Sequence, residues 1–110
     1  MNSSSLPALA AEHLARAESA SSGRSAHTLY GGQEHALRQT LIALAAGQAL
    51  DDHESPGEAT LQVLHGRVRL ATPDAQWEGG PGDHVTIPPQ RHSLAALEGA
   101  AVLLTVAVRH

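Results

Sequence analysis

Eight histidines, eleven carboxylate side chains and no cysteine define the chemistry open to this 110-residue chain. Without thiolates there is no disulfide, no cysteine nucleophile and no zinc ribbon, so a bound metal must be held by imidazole, carboxylate or water oxygen. Imidazole also titrates near neutrality, which makes each histidine a candidate acid or base. His53 is the most crowded, lying among Asp51, Asp52 and Glu54; those carboxylates either favour its charged form or are a solvated loop. His13 falls in an alanine-rich stretch of helical spacing, His65 at a hairpin and His110 at the last position, and all three are expected at the surface. His27, His35 and His84 fall on strand-like segments, where either face is open to them. Serines are abundant, but none makes a nucleophile pair: Ser93, beside His92, projects from the opposite face of its strand.

The length that must position these side chains suits one domain with a modest core. An apolar fraction of 42% and a net charge of −4 fit a folded globular protein and not a disordered tail. Residues 1–26 form a segment of their own, in which Leu6, Leu9, Ala10, Leu14 and Ala17 recur at helical spacing and predict a helix over about residues 6–18. Ser5 can cap it, Pro7 is tolerated in the first turn, and SASSGRS from Ser19 ends it. A helix this short is marginal alone, so its apolar stripe must dock or the segment frays.

Residues 27–110 read as a single β domain of about eight short strands. Arg67 and Arg69 alternate with Val68 and Leu70, giving one wet face and one packed face. Gly66 joins this strand to TLQVLH as a hairpin. In HALRQTLIAL, Leu41, Ile42 and Leu44 place apolar groups on both faces, and a strand buried on both sides needs a second cover. The N-terminal helix or another subunit can supply it.

Two stretches carry a family resemblance. Residues 47–66, GQALDDHESPGEATLQVLHG, resemble the first sequence block of the cupin family, and residues 82–92, GDHVTIPPQRH, resemble the second, with Gly82, Asp83, Pro88 and His92 matching. Gln90 stands where a glycine is usual and His92 arrives one residue early. Both blocks in order, over about residues 37–108, identify the chain as a small single-domain cupin. The resemblance implies an all-β fold, a cupin-type double-stranded β-helix or jelly-roll barrel, with one short N-terminal α-helix, and a homodimer built through the outer sheet.

In the family, two histidines and a glutamate from the first block and a histidine from the second hold a metal ion. Those positions here are His53, Ser55, Ala59 and His92, so the resemblance implies a depleted ligand set. A divalent transition metal (Fe, Mn, Ni or Zn) would rest on His53 and His92 with a non-family ligand. Glu58 qualifies if a bulge turns it inward, and His35 or Gln39 if the preceding strand presents them. Otherwise His53, Ser55, His92 and Gln39 line a pocket as hydrogen-bonded polar residues.

These residues favour a small-molecule-binding cupin that lacks the full family metal site. The alternative is a metal-dependent enzyme of oxygenase or isomerase type, and a third reading is a metal-free acid–base enzyme. Nucleic acid is not an expected partner, because the seven arginines are scattered and only Tyr30 and Trp77 are available to stack on bases. Glu12, His13, Arg16 and Glu18 interrupt the only apolar stretch near the start, so neither a secretory signal nor a membrane span is expected. The cytoplasm is the expected compartment.

Overall fold

A computed structural model of the chain describes residues 1–53 and 57–108, with residues 52 and 53 in backbone only. A helix, α1 (Leu6–Ser19), precedes β1 (Arg24–Tyr30), β2 (Leu37–Leu44), β3 (Ala49–His53), β4 (Glu58–His65), β5 (Val68–Ala71), β6 (Gln76–Gly79), β7 (His84–Thr86), β8 (His92–Ala96) and β9 (Ala100–Ala107). The helix begins where its cap is: Ser5 Oγ accepts the Ala8 N–H at 3.3 Å, and Pro7 occupies the first turn, where it forfeits no hydrogen bond. The boundary expected at residue 26 falls inside β1, whose pairing with β2 already starts at Arg24 opposite Leu44.

Two antiparallel sheets face each other, one in the order β1-β2-β9-β4-β7 and the other in the order β3-β8-β5-β6. This is the jelly-roll architecture. Strand alternation aims Leu44, Ala59, Leu61, Val63, Val68, Leu70, Ile87, Leu94, Ala96, Val102 and Val106 into one shared core. Val68 and Leu70 are buried as the RVRL alternation requires, while Arg69 on the outer face pairs with Glu78 across β5–β6 at 2.9 Å.

The β4–β5 hairpin turns at Gly66, whose φ is +76°. A Cβ there would run into the carbonyl oxygen of Gly99, so both the backbone sign and the close approach demand glycine. On the outer face of the larger sheet, α1 packs against Leu41 and Ala101 through Ala10, with Leu9, Leu29 and Leu64 around them. The helix therefore supplies the second cover that β2 needs. Among the described residues the sheets have five and four strands, and β1 is an edge strand with most of its residues exposed. Among the described residues no helix is long and apolar enough to cross a membrane.

Candidate functional site

His92 opens β8 and is 4% exposed. Alternation along β8 buries positions 92, 94 and 96 on the barrel side, so the strand that carries Leu94 and Ala96 into the core carries this imidazole with them. The turn before it sets the ring. Gln90 N–H donates to the Pro88 carbonyl at 2.8 Å, and His92 Nδ1 lies 2.9 Å from the Gln90 carbonyl oxygen. A carbonyl only accepts, so Nδ1 carries the proton, and in the neutral ring Nε2 is the nitrogen able to accept or to ligate.

The cavity beside His92 is lined by Ile42, Leu50, Leu61, Leu70, Ile87, Leu94 and Leu104 and has a volume of about 30 Å3. A water needs roughly 10–15 Å3 of such space. Among the described residues its wall is seven aliphatic side chains and one imidazole, and its volume is that of a water.

His53 ends β3 and is the backbone partner of His92, although Leu50 pairs with Leu94. Three residues of β3 thus match two of β8, and the intervening irregularity is a bulge that returns His53 to the register of His92. Directly opposed residues in an antiparallel pair stand about 4.5–5.5 Å apart at Cα. Ser55 lies outside the described residues. Ala59 is 5% exposed in the barrel core, as its expected inward position requires, and its methyl offers no ligand.

The other expected site residues are placed elsewhere. Glu58 is exposed at the start of β4, on the face opposite Ala59, and no bulge turns it inward. Gln39 shares the outer face of β2 with Leu41, donates to Thr105 Oγ1 at 3.3 Å, and lines a groove with Leu6 of α1, so it does not join His92. His35 precedes β2, which starts two residues later than expected, and its ring stacks on Tyr30 at 4.9 Å. His27 on β1, His65 on β4 and His84 on β7 are exposed. Among the described residues no three histidine or carboxylate side chains converge as a metal site.

Asp83, matched to the second block, is structural: its carboxylate accepts the Gly80 N–H at 2.9 Å, and the Asp83 carbonyl accepts Val63 N–H at 2.9 Å. The turn it closes launches β7.

One buried polar group departs from the sequence expectation. His13, expected at the surface, is 4% exposed. Ala10, His13 and Ala17 fall at i, i+3 and i+7 on one helix face, and that face is the one laid on the sheet. The signal was present in this spacing, but the polar side chain disguised it.

No family model matches the chain, and no protein of curated function is similar to it in sequence. Solved structures do resemble it. A conserved protein of unknown function from Streptococcus pyogenes is 26% identical, with 83% of this chain and 79% of that one covered at a TM-score of 0.73. A cupin superfamily protein from Desulfitobacterium hafniense is 17% identical, with 78% of each chain covered at 0.71. An RmlC-like cupin protein from Desulfovibrio desulfuricans is 23% identical, with 76% of this chain and 81% of that one covered at 0.66.

Proposed function

This chain has the RmlC-like cupin fold, and on that fold we propose a small-molecule-binding protein that holds its ligand in the barrel by apolar contact and orients it through His92, without the family's full metal site. The observation that carries the reading is the cavity wall, which among the described residues is one imidazole among seven aliphatic side chains; nearby in the core, Ala59 stands at the family's carboxylate position. A ligand suited to it has a compact apolar body and one group able to hydrogen-bond to the His92 imidazole. At about 30 Å3 the cavity admits such a body only when side chains such as Leu50 and Leu94 change rotamer.

The test is an NMR titration of isotope-labelled protein with phenol, which has that shape and chemistry. Shifts at Leu94, Leu104 and His92 that saturate, and that His92→Ala weakens at least fivefold, are the expected result. Saturating shifts that are confined to α1, or that His92→Ala leaves unchanged, overturn the reading.

The pairing of His53 with His92 favours a second reading, a metal-dependent enzyme of oxygenase or isomerase type using these two residues. Zinc binding that disappears in His92→Ala would select it over the first. Assembly as a homodimer belongs to the same proposal. The helix already covers Leu41 and Ala101, so support now comes from the unpaired edge of β1 and the exposed Tyr30 and Leu37 beside it. Sedimentation at micromolar concentration is expected to give twice the chain mass, and a monomer mass rejects the assembly.

A further inference from the structure

The seam between α1 and β1 holds a constellation that the barrel reading leaves unused. His13 Nδ1 lies 2.7 Å from Ser25 Oγ, while His13 Nε2 is buried with no hydrogen-bond partner. The His27 ring stands beside it, with centroids 5.3 Å apart and planes inclined by 41°. Glu12 Oε2 is 3.4 Å from the same Nε2, without hydrogen-bond geometry. An orphaned nitrogen in a buried imidazole is costly and asks for an explanation, an ion being one.

We propose that His13 and His27, completed by Glu12, form a zinc-class divalent metal site outside the barrel, clipping α1 to β1. The spacing fits the chemistry. With zinc–nitrogen and zinc–oxygen bonds of about 2.0–2.1 Å, neighbouring ligand atoms of a tetrahedron stand roughly 3.4 Å apart, and two imidazoles on one ion have ring centroids roughly 5 Å apart. The first figure matches His13 Nε2 to Glu12 Oε2 and the second matches the two rings. Ser25 holds Nδ1 as an outer hydrogen-bond partner holds a ligating histidine: its hydroxyl can accept from Nδ1–H, which puts the lone pair on Nε2.

As placed, the three side chains do not yet converge on one point. Closure requires rotation of the exposed His27 and of Glu12, whose side chain is 53% exposed and must leave its 3.7 Å contact with Arg16. Water supplies the fourth ligand. The consequence is mechanical: the helix face packs through Ala10 and Ala17, with Leu9 at its side, and a metal ion would add a bonded link from α1 to β1.

Calorimetric titration of the untagged, chelator-treated full chain with zinc chloride tests the site. One equivalent is expected to bind, to survive in His92→Ala, and to weaken at least tenfold in both His13→Gln and His27→Gln. The melting temperature is expected to rise with zinc in the parent and not in those two variants. His27 is exposed, so His27→Gln folds even if His13→Gln does not. Absence of binding, binding unchanged in His27→Gln, or binding lost in His92→Ala each overturns the proposal, and the last moves the ion into the barrel.

Discussion

His92 and His13 are equally buried, each 4% exposed, and each is anchored through Nδ1, yet they stand in opposite kinds of place. His92 is enclosed between two sheets among aliphatic side chains, with a carbonyl that dictates its tautomer. His13 lies between a helix and the outside of a sheet, anchored to a hydroxyl that can donate or accept, with a second imidazole and a half-exposed carboxylate at its side. An apolar wall suits a ligand with one polar group, whereas partly exposed neighbouring donors suit an ion. Burial alone does not assign a histidine its work; the chemistry and exposure of its neighbours do.

The largest way to sharpen this contrast is to put a charge into the closed side. Ala59 is in the barrel core, and its carbonyl, which accepts the Ile87 N–H at 3.0 Å, holds the backbone in place. Ala59→Glu is therefore expected to cost about 3 kcal/mol or more in urea unfolding, since a carboxylate without a partner loses its hydration there. Glu58→Ala, one residue away but exposed, is expected to stay within about 0.5 kcal/mol of the parent. Adding Ser55→His to Ala59→Glu restores the family ligand set beside His53 and His92, and zinc should then recover stability in the variant. A cost below about 1 kcal/mol for Ala59→Glu alone would mean that the side chain reaches water and that position 59 does not face the closed core.

What the sequence made legible follows the same division. The barrel side was readable because period-two alternation in VRLA and EATLQVLH, and the turn residues Gly66, Gly82 and Asp83, each have a local physical cause. His92 was a candidate because it stands where the second block of the cupin resemblance carries its histidine. The bulge before His53 was not readable, because an extra residue in β3 leaves no compositional mark; pairing with β8 decides it. Gln39 and Glu58 were candidates only while the register was open, and one residue of register moves a side chain to the other face. His13 was missed for another reason. Its polar type outweighed its position on the Ala10–Ala17 stripe, and Ser25, which makes it tolerable there, is distant in sequence and arrives only through the turn into β1.

The smallest effect carries the most diagnostic sign. If His13 Nε2 has no partner when chelator is present, replacing the ring by an aliphatic group of similar bulk removes a desolvated polar atom and retains the packing against the sheet. Ser25 keeps access to water because it is only half-buried, so its hydroxyl is not orphaned in turn. Glu12 retains Arg16, 3.7 Å away on the next helical turn. His13→Leu in EDTA is then expected to be neutral or to stabilise by up to about 1 kcal/mol, read as a higher urea midpoint at unchanged m-value. His92→Leu, measured alongside, is expected to destabilise by about 1 kcal/mol, because it removes a ring whose Nδ1–H is satisfied by Gln90. A loss above about 1 kcal/mol in His13→Leu would show that Glu12 already satisfies Nε2. His13 would then be satisfied at both ring nitrogens, and the seam would have no lone pair left to offer an ion.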